Sequence, residues 1–410
     1  MNKILIGDCL IKLKEIEDNS VDSIVTDPPY ELGFMGKSWD NTGIANNKEM
    51  WADCLRVLKP GGHLLAFSGT RTYHRMACAI EDAGFEVRDM IEWVYGSGFP
   101  KSLNVQKQLE KIGRDKYAEF QGVGTALKPA HEPICMARKP LSEKTVTENC
   151  LKWGTGGINI DKSRVGYMSE EDKKESITKN QYKQKDKPED AMFVGIKNQG
   201  DYQPQGRFPA NIIHDNSEEV RDCFPESKSS DVIRRNNQSK NTGAENGAIC
   251  YGKYNDCDTT GYSDSGNASR FFKSIIYQAK ASKSERNKGL DDFEEVEVRG
   301  GGGRVEDGYD LSDPAQVNLR RAATAYGAVK AKKANIHPTV KPIALMEYLI
   351  KMVTPKGGIV LDPFAGSGST LVAAKQNGFQ YIGIEMTEEY IPIINARLKI
   401  KTNEIRRNND

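Results

Sequence analysis

The chain has 410 residues, 58 of them basic and 57 acidic, for a formal net charge of +1. At about 150 residues per domain that length fits two to three domains, and 38% hydrophobic residues suffice for one sizeable core. The charge balance excludes a uniformly basic, histone-like binder but leaves room for local basic patches, and no apolar run approaches the ~20 residues of a bilayer span.

Residues 1–139 alternate between two hydrophobic periods. Lys3 to Ile6 and Val21 to Val25 are strand candidates, with one or two helical turns over Cys9 to Ile16 between them. Glu49 to Leu58 has helical spacing, and Lys59-Pro60-Gly61-Gly62 ends it. His63 to Phe67 is a third strand, Thr72 to Ala83 a helix stopped by Gly84, and Phe85 to Trp93 and Pro133 to Ala137 further strands. Strands alternating with helices predict a mostly parallel sheet covered on both faces. Residues 140–335 are rich in Asn, Gly, Ser, Lys and Asp and have few apolar periods, so they read as an inserted, weakly hydrophobic domain. Residues 336–400 return to α/β: a helix over Ile343 to Val353, a strand over Ile359 to Leu361, a helix over Thr370 to Asn377, a strand over Tyr381 to Ile384 and a last helix over Glu388 to Lys399 that Pro392 disturbs. Residues 401–410 are a polar tail.

Met1 to Asp8 reads as a strand and lacks the pattern of a signal peptide. Eight cysteines without a CxxC pair and five dispersed histidines support neither a disulfide scaffold nor a zinc site, so no metal is expected. A reducing, cytoplasmic setting follows.

Two motifs carry chemistry. Asp362-Pro363-Phe364-Ala365-Gly366-Ser367-Gly368-Ser369-Thr370 follows an apolar strand and opens a helix, where glycines let the backbone turn tightly and approach a ligand. Glu385 ends the next strand, as an acid that binds ribose hydroxyls would. The full dinucleotide fingerprint is missing, because position 371 is Leu371. The unit lacks its third strand at the C-terminus, and Lys3 to Ile6, followed by Asp8, can supply it from the other end. The expected fold is therefore a circularly permuted, Rossmann-like α/β sheet. The second motif, Asp27-Pro28-Pro29-Tyr30, directly follows a buried strand. Its prolines remove two N–H donors, leaving the Asp27 carboxylate and the Pro28 carbonyl as acceptors for an exocyclic NH₂, while Tyr30 offers a ring to stack on a flat base.

These residues resemble the beta group of amino-group DNA methyltransferases, in which the Asp-Pro-Pro-Tyr motif comes first, a long variable segment follows and the Phe-Ala-Gly-Ser-Gly motif comes last. Asn335-Ile336-His337-Pro338-Thr339-Val340-Lys341-Pro342 is similar to the group's segment at the methionine end of its cofactor, and Glu31 to Asp40 looks like phage and prophage members. The resemblance implies S-adenosylmethionine as cofactor, held by Asp8, Asp27, His337, Thr339, Lys341, Asp362, Phe364, Gly366, Gly368, Thr370 and Glu385, with Asp27, Pro28, Pro29 and Tyr30 catalytic. It implies double-stranded DNA as partner. A homodimer and a separate cognate restriction endonuclease are partners that the residues leave open. Asp27 favours adenine N6 over cytosine N4, whose enzymes more often carry Ser at that position. A non-catalytic DNA-binding module, or an RNA or protein-glutamine methyltransferase, are the alternative classes. Two basic stretches are candidates to neutralise DNA phosphates: Arg270 to Gly289 has six Lys/Arg and one acid, and Pro314 to Met346 six Lys/Arg and none. The candidate phosphate contacts are Lys37, Arg270, Lys273, Lys280, Lys283, Arg286, Arg320 and Arg321.

Overall fold

The computed structural model describes residues 2–32, 38–96, 98, 102–115, 117–167, 169–170, 173, 205–228, 265–275, 283–294, 296–299 and 330–399. In chain order its strands are β1 (Asn2–Ile6), β2 (Val21–Thr26), β3 (Leu58–Phe67), β4 (Glu86–Val94), β5 (His131–Arg138), β6 (Ile212–His214), β7 (Glu226–Lys228), β8 (Ser265–Asn267), β9 (Lys273–Ser274), β10 (Val296–Arg299), β11 (Lys330–Lys333), β12 (Ile359–Asp362) and β13 (Gln380–Glu385). Among the described residues, nine strands join one sheet in the order β1-β13-β12-β2-β3-β5-β4-β6-β9. Every neighbouring pair is parallel except the two that involve β5, which runs against β3 and β4. The permuted, mostly parallel sheet expected from the sequence is present. β1 pairs with β13 from Asn2↔Tyr381 to Ile6↔Glu385, and β12 pairs with β2, so the two ends of the chain share one sheet.

The central strand β2 is buried along its whole length because both its faces are covered. Its alternation sends Val25 into one cluster and Ile24 into the other. Val25 packs with Leu345 and Leu349 of helix Ile343–Val353 and with Leu371 of helix Ser369–Gln376. Ile24 packs with Met50 and Trp51 of helix Lys48–Val57 and Ile80 of helix Tyr73–Asp82. Helix Lys48–Val57 starts where the Asn47 side chain accepts from the Glu49 and Met50 amides, and it buries Met50, Trp51, Cys54 and Val57 as one stripe.

Three expectations change. The Lys59-Pro60-Gly61-Gly62 stretch lies inside β3, because Gly61 N donates to the Lys139 carbonyl and Lys139 N to that of Gly62, which continues the ladder beyond β5. The expected insert at 140–335 is not separate from the sheet. Helix Val146–Trp153 is tied to β3 by the buried Asn149, whose Nδ2 donates to the carbonyls of Pro60 and Thr155, both at 2.8 Å. Helix Ile160–Ser163 packs on helix Ile343–Val353, with Tyr348 Oη donating to the Ser163 carbonyl at 3.0 Å, and β6 and β9 extend the sheet past β4. Much of the remaining insert, including Tyr251, Tyr254 and Tyr262, and all of the tail lie outside the described residues. Finally, Pro392 does not disturb the last helix: it is the second residue of Ile391–Lys399, where the amide it lacks would have had no helical partner. Among the described residues no helix is long and apolar enough to cross a membrane.

Candidate active site

Open α/β sheets bind ligands at the carboxyl ends of their strands, and both motifs leave the sheet there. β2 ends at Thr26 and releases Asp27 to Tyr30, while the neighbouring β12 ends at Asp362 and releases the glycine loop. Thr26 Oγ1 donates to Asp362 Oδ1 at 2.7 Å, so the two loops are joined at their roots. The Tyr30 carbonyl accepts from Thr72 Oγ1 at 2.7 Å, which fixes the far end of the first loop.

Four charged or polar groups meet beside that loop. Lys341 Nζ donates to Asp27 Oδ1 at 2.8 Å and to Tyr30 Oη at 2.9 Å, and lies 3.1 Å from Glu132 Oε2. Tyr30 Oη in turn donates to Glu132 Oε2 at 2.8 Å. The ammonium is 4.8 Å from the ring centre of Phe67 and 5.1 Å from that of Tyr30. Phe67 ends β3, and Glu132 is the second residue of β5, brought to this edge because β5 runs backwards. Burial alone would lower the Lys341 pKa, but Asp27 and Glu132 outweigh it, so the pKa rises and the ammonium persists. Burial, then Asp27 and Glu132, push the Tyr30 phenol well above its usual value.

The glycine loop is held from three sides. Gly366 and Gly368 adopt φ of +54° and +79°. Gly366 N donates to Glu385 Oε2 and Thr387 N to Glu385 Oε1, each at 2.7 Å. Burial raises the Glu385 pKa against those amide donors. From below, Arg397 Nη1 donates to the Ser367 carbonyl at 2.6 Å and to Ser367 Oγ at 2.9 Å. From the side stands His337, its Nδ1 against the Thr339 carbonyl and its ring edge-on to Tyr390 at 4.6 Å. Burial pushes the His337 pKa down to about 3, so the ring is neutral. Asp8, beyond the end of β1, is next to this strand end, where its carboxylate accepts from Leu10 N at 2.8 Å.

A family model described as DNA methylase, N6_N4_Mtase, matches residues 21–396. The chain belongs to this DNA methylase family. It is 40% identical to the type II methyltransferase M.HindIII of Haemophilus influenzae over 199 residues, covering 37% of this chain and 63% of that protein. It is 47% identical to the type II methyltransferase M2.DpnII of Streptococcus pneumoniae over 68 residues, 17% of this chain and 25% of that one. The match thus spans a quarter of the length of the latter relative. Among solved structures it is similar to the M1.HpyAVI-SAM complex, at 17% identity and a TM-score of 0.40, covering 98% of this chain and 100% of that chain. It is similar too to the cytosine-N4-specific PvuII DNA methyltransferase, at 14% identity and a TM-score of 0.43, covering 98% of this chain and 89% of that chain.

In this chain, Asp8, Asp27, Pro28, Pro29, Tyr30, His337, Thr339, Phe364, Gly366, Gly368 and Glu385 lie at or beside the two loops. Four of the assigned residues are bonded within the protein. Lys341, assigned to the cofactor, bonds into the Asp27 loop. Asp362 and Thr370, assigned likewise, are buried, and Asp362 accepts from Thr26, Thr370 and the Phe364 amide, which holds the loop roots together. Arg286, assigned to a phosphate, is buried in helix Lys283–Asn287 and donates to the His337 carbonyl at 2.5 Å. Arg270 precedes β9 and so lies on the sheet edge opposite Asp27, over the Phe271 ring at 4.3 Å. Lys273 has its ammonium 5.2 Å from the Tyr348 ring. The side chain of Lys283, and all of Lys37, Lys280, Arg320 and Arg321, lie outside the described residues. Sequence reasoning missed Glu132 and Arg397. An arginine in the apolar stripe Ile393, Ile394, Leu398 was a legible signal for the second; nothing local marked the first.

Proposed function

We propose that this methylase transfers the methyl group of S-adenosylmethionine to the exocyclic N6 of an adenine flipped out of duplex DNA. The observation that carries the reading is the shared strand edge: the acceptor loop of Asp27 and the glycine loop over Glu385 are rooted on adjacent strands, close enough for one donor and one acceptor to meet. The residues fit that donor. Glu385, oriented by the Gly366 and Thr387 amides, ends its strand where a carboxylate can accept ribose hydroxyls, and Asp8 offers a further acceptor beyond the neighbouring strand. Bound S-adenosylmethionine supplies an electrophilic methyl on a sulfonium.

The protein's residues prepare the nucleophile. Flipping costs a few kcal/mol, and the Tyr30 ring receives the base. Asp27 and the Pro28 carbonyl accept the two N6 hydrogens, which orients the lone pair and adds electron density to a nitrogen otherwise conjugated with its ring. The N–C bond forms as the C–S pair stays on sulfur, and N6 then releases a proton. Adenine is favoured over cytosine by Asp at position 27. The test is methyl transfer to duplex DNA followed by digestion to nucleosides. N6-methyladenine is the expected product; N4-methylcytosine alone would overturn the base assignment, and no methylated base would overturn the reading.

A further inference from the structure

The cluster around Lys341 is larger than an acceptor loop needs. Asp27 and Glu132 both reach one buried nitrogen, so they lie within about 6 Å of each other. Two carboxylates against one ammonium leave a formal surplus of one negative charge. Attack turns the target amine cationic, and that surplus complements the charge which develops. Tyr30 belongs to the same cluster, its hydroxyl donating to Glu132 and accepting from Lys341. One side-chain pair therefore orients both the acceptor and the stacking ring.

We propose that Lys341 and Glu132 are positioning residues for the transfer: Lys341 pins Asp27 Oδ1 and turns the other carboxylate oxygen to the target amine, and Glu132 anchors both Lys341 and the tip of Tyr30. This rests on the function proposed above. It takes Lys341 away from the cofactor and gives it a separable effect. Remove the ammonium, and Asp27 Oδ1 and the Tyr30 hydroxyl both lose the donor that fixes them, while the glycine loop that faces the cofactor keeps its own bonds to Glu385. Other titratable groups that face the cluster are Tyr30, Tyr95, Asp362 and His337. None of them is a cation able to replace Lys341, since burial keeps His337 neutral.

The experiment compares wild type, Lys341→Met, Lys341→Arg and the double variant Lys341→Met/Glu132→Gln. Donor affinity is measured by calorimetry with S-adenosylmethionine, and the single-turnover rate on duplex DNA is measured at saturating donor. For Lys341→Met the donor affinity should stay within about threefold, while the rate at neutral pH falls about 100-fold, as a misaligned reacting pair costs. Adding Glu132→Gln should slow the reaction little further, because the two side chains act as one unit. Lys341→Arg keeps the cation and should keep the rate within about tenfold of wild type, which preserves the test should the Met variant not fold: a greater loss in the Arg variant overturns the proposal. Loss of donor affinity with an unchanged rate at saturating donor also overturns it. A wild type that methylates neither base instead refutes the function on which the proposal stands.

Discussion

Gly366 is the point where backbone conformation and donor binding are most tightly coupled. An alanine there must adopt φ +54°, which costs an L-residue about 1–2 kcal/mol. Its Cβ would also stand 2.8 Å from His337 Nε2 and 3.1 Å from Cε1. The imidazole has little room to withdraw, because Tyr390 lies edge-on to it and the Thr339 carbonyl holds Nδ1. Overpacking of that kind costs about 1–3 kcal/mol. Together Gly366→Ala should lose about 2–5 kcal/mol from the loop conformation that binds the donor, or roughly 30- to 5,000-fold in affinity for S-adenosylmethionine. Gly378→Ala is the control. Its φ of +75° demands similar backbone strain, but a Cβ there meets nothing within 4 Å. It should cost about 1–2 kcal/mol in thermal stability and leave donor affinity alone. Calorimetric titration of both variants, with melting curves for each, separates strain from contact. If Gly366→Ala binds the donor as tightly as Gly378→Ala, the steric argument is wrong.

Three further outcomes are expected. Burial pushes the Asp362 pKa up to about 6, so ionising it opposes folding: the penalty is absent below the unfolded value near 4, grows as pH rises to 6, and is complete above, at about 3 kcal/mol. Asp362→Asn should therefore raise the melting temperature at pH 7.5 but not at pH 4, in melts that test about that range; equal shifts at both would refute the linkage. Arg397→Met leaves the Ser367 carbonyl without its buried donor and should cost about 2–3 kcal/mol in denaturant unfolding, together with a loss of donor affinity; an unchanged midpoint would show that the glycine loop does not rest on it. Arg286→Met should lower stability through the lost His337 contact and leave the salt dependence of DNA binding unchanged; a slope in log affinity against log salt reduced by about 1 would restore the phosphate assignment.

Much of this architecture was legible because its causes are local. Most strand and helix periods of residues 1–139 and 336–400 are legible within a residue or two, since alternation and the 3.6-residue stripe are properties of the neighbouring sequence; the exceptions are β3, which starts five residues before His63, and helix Val105–Lys111, which the sequence reading lacks. Proline at positions 28 and 29 and glycine at 366 and 368 restrict or free the dihedrals where they stand, so both loops could be read directly. The insert was harder. Its strands β6 and β9 have three and two residues, too short to show a period, and the two isoleucines of β6 find their place only because β4 offers an open edge.

The basic residues were the least legible, because positive charge has the same composition whether it faces a phosphate or a carbonyl. Arg286 and Lys341 sat in basic stretches, yet one lies under His337 and the other between two carboxylates. By itself, then, the sequence determined the permuted α/β sheet, the two loops at its carboxyl edge and the chemistry those loops suit. Only the tertiary structure decided which side chains complete them. Lys341 meets Asp27 across 314 positions, and Glu132 meets Tyr30 across 102. Those meetings depend on strand order and on the reversed direction of β5, which no local stretch of the chain encodes.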